Sequence, residues 1–110
     1  MPTPHRPPLV VRRTLAKLGA NLRDARKRRG LTAQIVAERA FTSRPTLQRI
    51  EAGDDGVGIG IYASVINALG LLDPLAALAD PSRDQVGLDL ASSTLPLRVR
   101  TKRTKADSGS

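Results

Sequence analysis

Residues 31–53 read LTAQIVAERAFTSRPTLQRIEAG, and two hydroxyl side chains in this stretch, Thr32 and Ser43, stand where helices can begin. A helix leaves its first backbone N–H groups without internal partners, and a Ser or Thr just ahead of it offers a side-chain oxygen to one of them. Behind Thr32, Val36, Ala37 and Ala40 put small or branched apolar groups on one side, which predicts a helix of about two turns. Behind Ser43, Pro45 falls in a first turn, where its missing N–H would have had no partner anyway. Leu47 and Ile50 lie three apart and turn inward, while Arg44, Pro45, Gln48 and Arg49 point away from them. This second helix is expected from Arg44 to about Ala52, with Gly53 ending it.

Working outward, Val11, Leu15, Leu18 and Leu22 recur at three- and four-residue steps and Ala25 continues the stripe, a longer amphipathic helix. Gly19 is the place where that helix is open to a break. Gly30 should close it, after Lys27, Arg28 and Arg29 have complemented its negative end. Downstream, the run from Gly53 to Gly58 is a loop on composition. Ile59, Tyr62, Val65, Ile66 and Leu69 define a fourth helix closed by Gly70. Asp73-Pro74 starts a fifth by cap and first-turn proline, carrying Leu75 and Leu78. After Asp80-Pro81 the pattern weakens: residues 82–97 suggest a strand or short helix near Val86 to Leu90, and residues 98–110 read as disordered. The expected organisation is a flexible N-terminal arm (1–10, with four prolines in its first eight residues), a helical domain (11–80) and a largely flexible C-terminal extension (81–110). The fold class is all-α and compact, with five helices. Aromatic residues make up 2% of the chain, Phe41 and Tyr62 alone, so the core must be built from Leu, Ile, Val and Ala, which suits packed helices.

Charge is segregated. Residues 1–49 hold twelve Lys and Arg against Asp24 and Glu38, whereas residues 50–97 hold seven acids against Arg83 alone. Arg98, Arg100, Lys102, Arg103 and Lys105 form a basic tail on a chain of formal net charge +8. One face meeting a polyanion and another meeting protein would produce such a division. The chain has no cysteine and one histidine, His5, in the proline-rich terminus, so neither a metal site nor redox chemistry has ligands. No apolar run approaches the roughly 20 residues of a membrane span, and prolines stand where a signal peptide needs an apolar stretch, so a cytoplasmic protein with no membrane partner is expected. No catalytic residues or cofactor are expected either: no paired carboxylates carry active-site spacing, and GVGIG lacks the preceding strand and acidic partner of a dinucleotide motif.

Two short helices joined by a tight turn, the second exposing Arg, Gln and Thr, have the dimensions of a DNA-reading unit. Arg can donate two hydrogen bonds to a guanine edge, Gln can pair with adenine, and Pro can touch a thymine methyl. Arg44, Pro45 and Arg49 are the leading base readers, with Gln48 beside them. Thr46, the amides at the start of that helix with its cap Ser43, and the basic end of the first helix, Arg28 above all, are candidates for phosphate contact. The Lys27-Arg28-Arg29 run is explained equally well as dipole complementation at a helix end. The apolar set from Ile59 to Leu78 is first of all core, but exceeds what two short helices can hide on a small domain. Its surplus is expected to form a dimer surface.

These residues carry a resemblance. Leu31 to Gly53 resembles the helix-turn-helix of the Cro/C1-type (XRE) regulators, through Ala37, the cap Ser43, the pair Leu47 and Ile50, and Glu51 before a glycine. The surrounding five-helix order extends the likeness over about residues 15–79. The resemblance implies a lambda-repressor-like domain, a homodimer and a double-stranded DNA operator. It also implies an ion pair between Arg26 and Glu51, tying the first helix to the end of the reading helix, and contacts near the start of the second helix by Thr32 and Gln34. Two positions depart from the family pattern. Phe41 occupies the turn where a glycine is usual, and forcing a bulky residue to positive φ costs on the order of 1 kcal/mol. Ala33 stands where a glutamine often approaches the phosphate, with Gln34 next to it as a partial substitute. More narrowly, LGANLRDARKRRG, the GDDGVG loop and IYASVINALGLLDPLAALADP resemble antitoxin partners of HipA-type kinase toxins. Sequence-specific operator binding, toxin binding through the tail or acidic half, and non-specific nucleic-acid binding by the basic segments are the three functions these features allow.

Overall fold

The computed structural model describes residues 6–99, with side chains described as far as Ser93. Six α-helices run in order: α1 (Leu9–Arg28), α2 (Ala33–Arg39), α3 (Arg44–Glu51), α4 (Ile59–Ala68), α5 (Leu72–Ala76) and α6 (Gln85–Val99). A 3₁₀ turn over Pro81–Arg83 precedes α6, and the described residues contain no strand. The chain divides into two units, Met1–Leu75 and Ala76–Ser110.

In the first unit the core is aliphatic. Leu22 and Ala25 from α1, Val36, Ala37 and Ala40 at α2, Leu47 and Ile50 from α3, and Tyr62, Val65, Ile66 and Leu69 at α4 are buried together with Val57 of the α3–α4 loop. No polar or charged residue is fully buried among the described residues, so specificity of packing comes from side-chain shape. Both sequence caps form. The Thr32 hydroxyl accepts the Ile35 N–H at 3.1 Å and the Ser43 hydroxyl accepts the Thr46 N–H at 3.2 Å, each satisfying an orphan donor of a first turn.

The C-terminal ends of α1 to α4 share one closure. In each, an N–H reaches back five residues to a helical carbonyl: Leu31 to Arg26, Thr42 to Ala37, Asp54 to Arg49 and Leu71 to Ile66, at 2.9–3.1 Å. The residue before that donor is left-handed in all four, and it is Gly30, Phe41, Gly53 and Gly70 in turn, with φ of 66°, 56°, 78° and 77°. Phe41 therefore keeps the glycine-type turn between α2 and α3, and its ring, 97% exposed, gains nothing from packing in return.

Several expectations need correction. Gly19 does not break α1; it is buried in an unbroken helix, where a Cβ would lie 2.5 Å from the Ile50 carbonyl oxygen and 2.8 Å from the Gly53 nitrogen. The glycine is there because two backbones meet. Leu9 and Val10 belong to α1 and not to the arm, and residues 1–5, with His5, lie outside the described residues. Ile59 does not join the core: at the first position of α4 it projects past the packed face and is 77% exposed. α5 begins at Leu72, placing Asp73 inside the first turn and not at the cap, and it ends before Leu78, which is exposed. In the second unit Asp80 caps the 3₁₀ turn, its carboxylate accepting the Ser82 N–H at 2.8 Å. Asp84 does the same for the N–H of Gly87, and α6 then runs through the segment expected to hold a strand or short helix. Residues 98 and 99 are helical, while Arg100, Lys102, Arg103 and Lys105 of the basic tail lie outside the described residues.

Candidate nucleic-acid interface

α3 is held from behind and open in front. Leu47 and Ile50 are completely buried between α3 and the rest of the unit, which fixes the rotation of the helix about its axis. With that rotation set, Arg44, Pro45, Gln48 and Arg49 are exposed together, and Thr46 is half-buried at the edge of the same surface.

The far end of α3 is tied to α1 by a charged fork. Arg26 donates from Nε to Glu51 Oε2 at 2.8 Å and from a terminal nitrogen to Glu51 Oε1 at 3.2 Å, while its other terminal nitrogen donates to the Leu31 carbonyl at 3.1 Å. The side chains are 12% and 11% exposed, so the pair is well shielded. The hydrogen bonds to Glu51 raise the Arg26 pKa, which is already far above neutrality, against a smaller lowering by burial. Two planar groups meeting edge to edge fix angle as well as distance, so α3 cannot pivot on α1 without breaking both bonds.

A groove of about 400 Å³ adjoins that fork, lined by Arg23 and Arg26 of α1, Ala33 of α2, and Arg44, Gln48 and Glu51 of α3. The side chains of Arg23 and Arg44 have no hydrogen bond or ion pair to another described residue. Arg28, the last residue of α1, is likewise exposed and unpaired among the described residues. Cations presented in this way, ahead of exposed hydrogen-bonding side chains, suit a phosphate backbone flanking a readable groove.

Other candidates are engaged elsewhere. The Thr32 and Ser43 hydroxyls serve as caps, and Ser43 Oγ also donates to Thr46 Oγ1 at 3.0 Å. Gln34 Nε2 donates to Glu38 Oε2 at 2.9 Å along the outside of α2. Arg49 is not free: its Nε donates to Asp54 Oδ2 at 2.8 Å. That hydrogen bond holds the Asp54 carboxyl below the usual carboxylate range, helped by the Gly56 N–H, which donates to Asp54 Oδ1 at 2.6 Å. The same bond raises the Arg49 pKa. The Asp54 carbonyl in turn accepts the Tyr62 hydroxyl at 2.6 Å, so the loop is pinned to α4; burial is the main reason the Tyr62 phenol is pushed up.

Sequence reasoning missed Arg23 and Asp54. The signal for Arg23 was its position three residues before Arg26, which puts both on one helix face. For Asp54 it was the Asp-x-Gly order, in which a carboxylate turns back onto the N–H two residues on.

A short capped helix, a four-residue turn, and a second capped helix fixed by two buried aliphatics with a basic outer face define a helix-turn-helix DNA-binding domain. A family model for the helix-turn-helix domain matches residues 17–79, more than half of the chain, and the chain belongs to that family. Neither the curated proteins nor the solved structures gave a significant match. No described helix is long and apolar enough to cross a membrane.

Proposed function

We propose that this chain is a sequence-specific double-stranded DNA-binding regulator of the Cro/C1 kind that acts as a homodimer on an operator, repressing its own promoter. One observation carries the reading: Arg44, Pro45, Gln48 and Arg49 share the exposed side of α3 while Leu47 and Ile50 on its other side are 0% exposed. Arg44 and Arg49 read guanine edges, Gln48 reads adenine, and Pro45 lies against a thymine methyl. Thr46, Arg28 and the groove arginine Arg23 hold the backbone and set register, with Ser43 and Thr32 contributing through the helix starts they cap and Gln34 at the edge of α2. The exposed apolar side chains Ile59, Ile61 and Leu72 support a second copy as partner, and two-fold symmetry then places half-sites about one duplex turn apart. A DNA target implies a cytoplasmic setting, and no catalytic step or cofactor is part of this role.

The test is selection of bound duplexes from a random pool, with the wild-type chain and with Arg44→Ala. The wild type should return a palindromic site and Arg44→Ala a site degenerate at one position per half. Arg28→Ala should weaken all sequences alike and flatten the salt dependence by about one counterion per site. Full operator affinity and selectivity in both Arg44→Ala and Arg49→Ala would remove α3 from the role of reading helix.

A second reading, an antitoxin that binds a HipA-like kinase toxin, draws on the resemblance of three stretches: residues 18–30, the GDDGVG loop, and residues 61–81. It is compatible with operator binding. Co-purification of a kinase-like protein with the tagged chain from its native cells supports it, and purification of the chain without any such partner speaks against it.

A further inference from the structure

We propose that Asp54 is a positioning residue for base recognition: it buttresses Arg49, fixing the plane of the guanidinium so that its outer edge is presented to a guanine. This deepens the DNA-reading function proposed above and rests on it.

The geometry begins with which nitrogen is used. Asp54 takes the Nε hydrogen of Arg49 at 2.8 Å, on the inner side of the guanidinium. The end-on edge made by Nη1 and Nη2 remains for an outside acceptor, and half of the Arg49 side chain (52%) is still exposed in the paired state. A guanine offers two acceptors, O6 and N7, spaced for a pair of parallel guanidinium donors. An arginine on a flexible stem reaches that pair only after losing rotamer freedom, and a carboxylate that has already fixed the plane removes part of that loss before DNA arrives.

Asp54 is itself anchored at three points. Its N–H donates to the Arg49 carbonyl at 2.9 Å, closing α3. Its carbonyl accepts the Tyr62 hydroxyl at 2.6 Å, and Tyr62 is buried in the core. Its second carboxylate oxygen accepts the Gly56 N–H at 2.6 Å, leaving the first for Arg49. Gly56 also leaves room for this arrangement, since a Cβ there would crowd the Asp54 carboxylate at 3.1 Å. A carboxylate so constrained holds its partner in one place. By contrast, Arg44 on the same surface has no such partner among the described residues and must be ordered by the duplex itself.

The experiment compares wild type, Asp54→Asn, Arg49→Ala and the double variant, all as full chains, by duplex selection followed by competition binding at one salt concentration. Asparagine keeps an acceptor for the Gly56 N–H, and a far-UV spectrum with a cooperative melt verifies that the variants fold. Asp54→Asn should lose discrimination on the order of tenfold at one base pair of each half-site and leave the other positions unchanged. In the Arg49→Ala background the same substitution should change nothing further. If Asp54→Asn raises binding to every sequence by one factor with base preference intact, Asp54 acts only as a bulk negative charge and the buttress is overturned. It is overturned too if Asp54→Asn shifts base preference equally with and without Arg49. A wild-type chain that selects no sequence overturns the reading function, and the buttress with it, whereas a selective wild type with an unaltered Asp54→Asn profile overturns the buttress alone.

Discussion

Gly19 of α1 and Ile50 of α3 meet backbone to backbone: a Cβ on Gly19 would lie 2.5 Å from the Ile50 carbonyl oxygen, and Gly53, on the other side of the crossing, would meet the backbone of Ala16 at the same distance. Two glycines, one within α1 and one just past α3, thus allow α3 to seat on α1 closely enough for Arg26 to reach Glu51.

Substituting Gly19 with Ala should therefore destabilise the domain, although alanine is the better helix former in isolation. The clash is with backbone and cannot be relieved by a side-chain rotation, so overpacking of about 1–3 kcal/mol is expected. For a domain of this size that lowers Tm by several degrees per kcal/mol, readable by circular dichroism. An unchanged or raised Tm would mean that α1 and α3 are farther apart than described.

Removing one member of the Arg26–Glu51 pair should cost more than a surface ion pair. Both side chains are about nine-tenths shielded, and the survivor would be left with an uncompensated, largely shielded charge. Arg26→Ala is expected to destabilise by on the order of 3 kcal/mol, at the low end for truncating a buried pair. Chemical denaturation measures this directly; a loss below about 1 kcal/mol would class the pair with exposed ones.

Phe41→Gly should be neutral or stabilising, which is unusual for losing a phenylalanine. The ring is 97% exposed and the backbone is left-handed at φ 56°, so glycine removes strain of about 1–2 kcal/mol and adds an unfolded-state entropy cost of roughly 0.5–1 kcal/mol. A net gain between zero and about 1.5 kcal/mol in thermal unfolding is expected from that difference. A clear loss would indicate that the ring has a partner in solution.

The Arg49–Asp54 pair has a pH signature. Asp54 titrates below its ordinary value of 3.8 in the folded chain because Arg49 and the Gly56 N–H stabilise the carboxylate. A depressed carboxylate contributes fully above its unfolded pKa and loses the contribution as pH falls through the folded value. The loop contact should accordingly be intact from neutrality down to about pH 4 and release below it. Carbon-13 chemical shifts of the Asp54 carboxyl track this directly, and a midpoint at or above 3.8 would contradict the pairing.

The sequence made the helix-turn-helix legible because its signals are local. Thr32 and Ser43 cap the helices behind them, Leu47 and Ile50 repeat at helical spacing, and the closing glycines sit where left-handed backbone is needed. Long-range facts were hidden. Nothing around Gly19 distinguishes a helix break from a helix crossing until α3 is in place. α6 was illegible because its apolar residues form no stripe, and Gly87 and Pro96 argue against a helix on propensity. At the site, exposure of Arg44, Gln48 and Arg49 came from periodicity, whereas the capture of Arg49 by Asp54 depends on how the chain turns at Gly53.

The bond from Tyr62 to the Asp54 carbonyl gives the protein a built-in optical label. The chain has one tyrosine and no tryptophan, so its near-ultraviolet absorption and emission are dominated by a single phenol attached to the segment that steadies Arg49. Any event that loosens that segment, whether acid, a substitution or an arriving duplex, changes the surroundings of this one chromophore and can be monitored without adding a dye.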